Sequence, residues 1–166
     1  AIRRQRQMCI RDRYFAGTGE IVDSSDGRWD RPDTGIAFIG DSICQNAKLL
    51  YGDWNTILGR SDCANYGIGG QTTLECRARI GELAARNYRQ IVFICGINDI
   101  GHGYTKEEIV QNYAAMIETV QASNPDCQFV ILSTLPTTSA FYSGQQGKIT
   151  LLNLAFKRFA NKTPNV

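Results

Sequence analysis

Short apolar runs that end at glycine or proline alternate along this chain with longer amphipathic stretches. The apolar runs are 35–40, 63–68, 91–96 and 129–135, and each is typical of a strand buried on both faces. Amphipathic stretches follow residues 72 and 105 and cover 152–159, so we expect a helix at each place. Strands that alternate with helices in this way indicate a parallel sheet with helices on both faces. The expected fold class is therefore α/β, a three-layer α/β/α sandwich with a flavodoxin-like parallel sheet.

Two of the expected helix starts have the spacing of a capping box. Thr72 and Thr105 are each followed three residues later by a glutamate. We expect the helix after Thr72 to be continuous through residue 84. Its apolar face consists of Cys76, Ile80, Leu83 and Ala84.

The first 34 residues do not follow this pattern. Residues 1–13 hold five arginines and one aspartate, show no periodicity and resemble a translated sequencing adapter, so we expect a non-native segment. The alternative is a basic arm that binds nucleic acid. Residues 14–34 are rich in Gly, Asp and Ser and are expected to form an irregular lead-in. Residues 35–166 form the expected domain, which we interpret as partial because the pattern stops where a fifth strand and a last helix would follow.

Composition narrows the class of protein. Hydrophobic residues at 43% and charged residues at 20% are ordinary for a globular protein, and no apolar run approaches the roughly 20 residues that span a bilayer. Outside residues 1–13, no basic stretch with interleaved aromatic residues suggests a nucleic-acid groove. The six cysteines lack the spacing of zinc ligands, so we expect buried free thiols, with a disulfide between Cys44 and Cys63 left open. The cellular compartment and the oligomeric state also stay open.

Unusual residues stand at the ends of three expected strands. They form Gly-Asp-Ser-Ile at 40–43, Asn-x-Gly-x-x-Gly at 65–70 and Gly-x-Asn-Asp at 96–99. In a parallel sheet the carboxyl ends of the strands meet at one edge, which is where ligands bind. We therefore expect these three segments to converge.

The three segments supply residue types that acyl transfer requires. Ser42 lies at an expected helix start, where the positive end of the helix favours a developing anion on a nucleophilic hydroxyl. A tetrahedral oxyanion needs preorganised donors, and the backbone N–H groups of Ser42 and Gly70 with the carboxamide of Asn98 could supply three. Each residue also has a plainer interpretation: Ser42 as a helix cap, Gly69-Gly70 as a turn, and Asn98 as a turn or cap residue.

The order of these segments resembles the SGNH, or GDSL, hydrolases over about residues 35–162. The resemblance implies a serine esterase with Ser42 as nucleophile and with Gly70 and Asn98 joining the Ser42 backbone in the oxyanion hole. It implies neither a cofactor nor a metal. The expected substrates are carbohydrate or small esters with short acyl groups such as acetyl. Lysophospholipid or thioester substrates are alternatives, as is a non-catalytic flavodoxin-like domain that binds phosphate at residues 40–42.

The family's fourth motif, Asp-x-x-His near the C-terminus, has no counterpart in this chain. The one histidine, His102, lies three residues after Asp99, directly behind the third motif and in an expected Gly-rich loop. We interpret His102, Asp41 and Asp99 as candidate substrate-contacting residues, and for the two aspartates we favour hydrogen bonds that structure the loops. We expect the catalytic acid and base beyond residue 166, and the 166-residue chain alone to be nearly inactive.

Overall fold

The computed structural model describes residues 34–51, 53–137, 142 and 144–166, so the expectations for residues 1–33 lie outside the described residues. The strands are β1 (Thr34–Gly40), β2 (Cys63–Gly67), β3 (Asn87–Ile94) and β4 (Gln128–Ile131). The helices are α1 (Ser42–Tyr51), α2 (Trp54–Leu58), α3 (Thr73–Ala78), α4 (Gly81–Ala84), α5 (Ile97–His102), α6 (Lys106–Gln121) and α7 (Gln146–Ala160).

The described strands form one parallel sheet in the order β2-β1-β3-β4. At its carboxyl end, Gly40 of β1 lies between Gly67 of β2 and Ile94 of β3. The expected α/β class and parallel sheet are therefore confirmed. The loops after β1, β2 and β3 leave the sheet side by side at one edge, because these three strands are neighbours.

Two apolar clusters cover the two faces of the sheet. The larger joins β3 to α6 and α7, with the Phe93 ring 5.2 Å from Tyr113 in an edge-to-face contact and Tyr113 5.1 Å from Phe156. The smaller lies under α1 and α2, where Phe38 stacks on Trp54 at 4.2 Å. Aromatic pairs at such separations are each worth about 1 kcal/mol beyond the area they bury. The layered arrangement follows from the alternation of apolar runs and amphipathic stretches.

Both expected capping boxes are present. The Thr72 and Thr105 side chains accept hydrogen bonds from the backbone three residues on, and the glutamate there accepts from the threonine backbone in return. The continuous helix expected after Thr72 is wrong, because α3 ends at Ala78 and α4 begins at Gly81. Glycine has low helix propensity, and Ile80 N–H bonds to the carbonyl three residues back, at Arg77, as in a tightened last turn.

The fourth strand is shorter than expected, because β4 ends at Ile131 whereas the apolar run continues to residue 135. The backbone N–H of Thr134 bonds to the Asn153 side chain of α7 at 2.8 Å instead of continuing the hydrogen bonds to β3, and Leu135 is 62% exposed.

The cysteines of the described residues are unpaired. Cys44 and Cys63 are buried free thiols, so the disulfide left open between them is not formed, which agrees with the expectation of buried unpaired cysteines. Within the described part of the chain, no helix has both the length and the apolar character that crossing a bilayer requires.

Candidate active site

The corner between β1 and α1 places Ser42 as the first residue of a ten-residue helix. Asp41, directly before it, is 1% exposed, and its carboxylate accepts a hydrogen bond from the Ile43 N–H at 2.9 Å. The Asp41 N–H donates to the Ile94 carbonyl of β3 at 3.1 Å, which ties this corner to the neighbouring strand. Burial raises the pKa of Asp41 to about 7, with a smaller contribution from the nearby Asp99 carboxylate.

The end of β2 and the loop that follows it are held against α1 by side-chain hydrogen bonds. The Asn65 amide donates to the Cys44 carbonyl at 3.1 Å, and the Gly69 N–H donates to Oε1 of Gln45 at 2.6 Å. A Cβ on Gly67 would lie 2.2 Å from the Gln45 backbone nitrogen, so only glycine allows this approach. The β2 loop therefore has a fixed position relative to the helix that begins at Ser42.

Gly70 occupies the left-handed region of backbone conformation, with φ of +77°. Nothing lies within 4 Å of the position that a Cβ would take there, so the space beside this glycine is open. The conformation favours glycine at this position, which is half-buried. This placement is compatible with the predicted donor role.

The corner between β3 and α5 holds Asn98, which is 7% exposed. Its amide nitrogen donates to the Gln71 carbonyl at 2.9 Å, and its oxygen accepts from the Tyr142 hydroxyl at 3.1 Å. The loop after β2 and the corner after β3 are thus joined directly. The three segments singled out in the sequence lie at the same edge of the sheet. Hydrogen bonds link the first two directly, through the Ile68 N–H and the Gly40 carbonyl, and residues adjoining the segments, Gln71 and Ile94, provide the links between the others.

Asp99 is fully buried and forms a second link between these loops. Both carboxylate oxygens lie 3.0 Å from the Thr73 N–H, and the Thr73 hydroxyl also donates to the carboxylate. Thr73 accepts in turn from the Asn112 amide of α6 at 3.0 Å. Burial raises the pKa of Asp99, and the hydrogen bonds from Thr73 oppose the rise. With 0% exposure, Asp99 is placed to structure the loops, and its carboxylate has no exposed surface for a substrate.

His102 is the last residue of α5, so the expectation of a Gly-rich loop at this position is wrong. Gly96 and Gly103, both with positive φ, stand at the two ends of the helix and do not interrupt it. The side chain of His102 is exposed. Three glycines within eight residues favour a loop in a sequence-based interpretation, whereas here two of them bound a short helix.

Three residues that contact the predicted site were not expected from the sequence: Gln71, Thr73 and Tyr142. They contact Asn98 or Asp99 across separations of 26 to 44 residues. No local pattern marks such contacts, because they depend on which strands become neighbours in the sheet. Thr73 follows the capping residue Thr72, but the capping box does not indicate that Thr73 would bind Asp99.

An apolar cavity of about 310 Å³ lies beside the Ser42 corner. Its apolar lining includes Ile43, Trp54, Ile97, Leu132 and Leu135, and Asp41 also borders it. Asp41 and Ile43, on both sides of Ser42, border this cavity, whereas Ser42, Gly70 and Asn98 are not among its lining residues. The cavity therefore adjoins the Ser42 corner without containing the predicted catalytic groups. Together, the arrangement offers a hydroxyl at a helix start, loops rich in potential N–H donors and adjacent apolar space.

A comparison of the chain with models of known protein families identifies a family whose match includes these three motifs. The family model described as the GDSL-like lipase/acylhydrolase family matches residues 38–166. The chain belongs to this family. Family membership agrees with the resemblance found in the sequence motifs.

The chain is also similar to curated proteins and to solved structures. The chain is 26% identical over 101 residues to platelet-activating factor acetylhydrolase IB subunit alpha2 of Rattus norvegicus, which covers 61% of this chain and 44% of that protein. The chain therefore spans less than half the length of this relative. A member of the lipolytic G-D-S-L family from Veillonella parvula matches with a TM-score of 0.64 at 22% identity, covering 78% of this chain and 73% of that one.

A second solved structure extends the comparison to carbohydrate esterases. A carbohydrate esterase of family 3 from Talaromyces cellulolyticus matches with a TM-score of 0.58 at 18% identity, covering 78% of this chain and 73% of that chain. At these identities the two solved structures establish a shared fold alone. The GDSL fold is thus common to the chain and to esterases with different substrates.

Proposed function

We propose that this GDSL-family chain carries the nucleophile and the oxyanion hole of an esterase that removes short acyl groups, acetyl in particular, from carbohydrate or small ester substrates. Ser42 is the proposed nucleophile, and the Ser42 and Gly70 N–H groups with the Asn98 amide are the proposed donors. The observation that supports this most strongly is the set of hydrogen bonds that ties the three loops together. The acetyl preference is supported by relatives named as an acetylhydrolase and as an acetyl xylan esterase.

The proposed reaction passes through a covalent acyl-enzyme. The Ser42 oxygen bonds to the carbonyl carbon while the serine proton goes to a general base, and negative charge develops on the carbonyl oxygen. Preorganised N–H donors stabilise that charge, and loss of one such donor typically lowers kcat by about 100- to 1000-fold. The C–O bond of the ester then breaks, the alcohol leaves with a proton, and water releases the acid from Ser42.

We propose that His102 is not the general base of this reaction. It is exposed at the end of α5, and the opposite end of that helix carries Asn98. The 166-residue chain holds no other histidine, so we expect its own hydrolysis to be slow. An oxyanion hole without its base still leaves about 1000- to 10,000-fold catalysis over water.

The apolar cavity makes the length of the acyl group testable. Its volume of about 310 Å³ corresponds to roughly ten groups the size of a water molecule, which is more than an acetyl group fills. A series of p-nitrophenyl acetate, butyrate and octanoate separates the two possibilities. A kcat/KM that falls steadily with chain length supports the short-acyl proposal, and a maximum at octanoate would overturn it in favour of a longer acyl substrate.

A fluorophosphonate probe tests the nucleophile directly in the protein expressed from its complete coding sequence. The Ser42 oxygen displaces fluoride from phosphorus and leaves an adduct that peptide mass spectrometry locates. We expect the adduct on Ser42, none in Ser42→Ala, and unchanged labelling in Ser61→Ala, which removes an exposed serine outside the three motifs. No adduct on Ser42, together with calorimetric binding of inorganic phosphate that Ser42→Ala abolishes, would favour the phosphate-binding alternative.

A further inference from the structure

The carboxamide of Asn98 has a defined orientation in this structure. A backbone carbonyl only accepts hydrogen bonds, so the group that faces the Gln71 carbonyl at 2.9 Å must be the amide nitrogen. The amide oxygen then faces the Tyr142 hydroxyl at 3.1 Å, and that hydroxyl donates to it. If the amide were turned over, two carbonyl oxygens would face one another, and the interaction with Gln71 would become repulsive.

This orientation leaves one amide hydrogen unused. The nitrogen carries two hydrogens, and one is taken by Gln71. Among the residues that the structure describes, none accepts a hydrogen bond from the other. Asn98 lies in the first turn of α5, at the carboxyl end of β3, and β3 bonds to the Ser42 corner through the Ile94 carbonyl and the Asp41 N–H.

We propose that Tyr142 is a positioning residue that holds the Asn98 carboxamide with its second N–H available to the substrate oxyanion. This rests on the proposed function of the site. A hydroxyl that donates to the amide oxygen restrains rotation of the group, and it also polarises the amide so that its N–H becomes a better donor. Tyr142 lies between β4 and α7, so it connects a fourth loop to the three that the sequence motifs mark.

The orientation can be measured without any catalysis. In the 166-residue chain, nuclear magnetic resonance should show two distinct amide protons for Asn98, with slow exchange for the one bonded to Gln71. Tyr142→Phe removes one hydroxyl and keeps the ring, so the fold is retained. We expect the Asn98 side-chain signals to shift and their exchange with solvent to accelerate in this variant. Unchanged shifts and exchange would overturn the proposal.

Kinetics then connect the orientation to the reaction. In the protein from the complete coding sequence, Asn98→Ala should lower kcat for p-nitrophenyl acetate by about 100-fold or more. Tyr142→Phe should lower kcat by about fivefold with KM unchanged, as expected for the loss of one hydrogen bond. In the double variant, Tyr142→Phe should cause no loss beyond that of Asn98→Ala, because it acts through that amide.

Each outcome separates this inference from the proposed function. A loss for Asn98→Ala with full activity for Tyr142→Phe overturns the positioning role alone. Full activity for Asn98→Ala overturns the oxyanion-hole assignment, while the resonance measurement still decides whether Tyr142 orients the amide. Additive losses in the double variant would show that Tyr142 acts independently of Asn98 and would also overturn the proposal. Tyr104→Phe is the matched control, since it removes a tyrosine hydroxyl near the other end of α5 and should leave kcat unchanged.

Discussion

The corner after β1 and the corner after β3 each bury an aspartate, and they hold it in different ways. Asp41 accepts from the N–H of Ile43, two residues further along the same corner. Asp99 accepts from the backbone and hydroxyl of Thr73, the first residue of α3, directly after the loop that follows β2. The Asp41 carboxylate therefore acts within its own corner, whereas the Asp99 carboxylate makes the Asn98 corner depend on a neighbouring segment.

The largest expected effect comes from breaking the link between loops. Asp99→Asn puts an amide nitrogen opposite the Thr73 donors, so at least one buried donor loses its acceptor. A buried unsatisfied group costs about 1–3 kcal/mol, and with two Thr73 donors involved we expect the free energy of unfolding to fall by about 3 kcal/mol. Urea denaturation followed by circular dichroism measures this. Asp126→Asn changes an exposed aspartate and should stay within about 0.5 kcal/mol. If the free energy of unfolding of Asp99→Asn fell no more than that of the control, the Asp99 carboxylate would not hold the two segments together.

The next effect concerns Asp41 and depends on pH. Because burial raises the folded-state pKa to about 7, above an ordinary value of about 4, the folded state binds the proton more tightly than the unfolded state. The stabilisation from this group is fully present below about pH 4 and is lost as the pH rises through 7. Asp41→Asn keeps an acceptor for the Ile43 N–H and removes the titration.

The pKa difference means that the parent chain loses about 4 kcal/mol between pH 4 and pH 8, whereas Asp41→Asn does not. The additional buried N–H of the amide costs about 2 kcal/mol at every pH. We therefore expect Asp41→Asn to be about 2 kcal/mol more stable than the parent chain at pH 8 and about 2 kcal/mol less stable at pH 4. Denaturation midpoints across this pH range measure the effect. Asp62→Asn is a control of opposite sign, because hydrogen bonding to Arg60 lowers the pKa of Asp62. Equal pH profiles for Asp41→Asn and the parent chain would contradict the assignment.

A smaller change tests whether the Ser42 corner is independent of β2. Gly67→Ala would put a Cβ 2.2 Å from the Gln45 backbone nitrogen, so α1 and the end of β2 must move apart. Overpacking of this kind costs about 1–3 kcal/mol, and we expect about 1.5 kcal/mol in the free energy of unfolding. Gly81→Ala is the matched control: its Cβ meets open space in α4, and alanine should stabilise the helix slightly. If Gly67→Ala were as stable as that control, α1 and the end of β2 could move apart at little cost, contrary to the expected overpacking.

The same contrast explains what could be predicted from the sequence. Strand positions, both capping boxes and the convergence of the Ser42, Gly70 and Asn98 segments follow from local patterns and from the geometry of parallel sheets. The partners Thr73 and Tyr142 could not be predicted, because their contacts arise only after distant segments pack together. The break at Gly81 and the short helix that ends at His102 were missed for another reason. Glycine stands inside, beside or at the ends of helices according to packing, and its position in the sequence does not distinguish these cases.

His102→Ala gives the smallest expected effect and the sharpest test of the site as assigned. The imidazole is exposed at the end of α5, and we expect its removal to change hydrolysis of p-nitrophenyl acetate less than twofold, because a surface substitution away from the reacting atoms changes little. Rates for the 166-residue chain and for the protein from the complete coding sequence should both be measured with and without the substitution. Lys106→Ala serves as the control, because it removes a side chain at the start of the next helix, four residues after His102, and should leave the rate unchanged. If the 166-residue chain hydrolysed the ester rapidly and lost that rate on His102→Ala alone, the histidine would be the base. The helix that carries Asn98 would then supply the proton acceptor of the reaction as well as a hydrogen-bond donor.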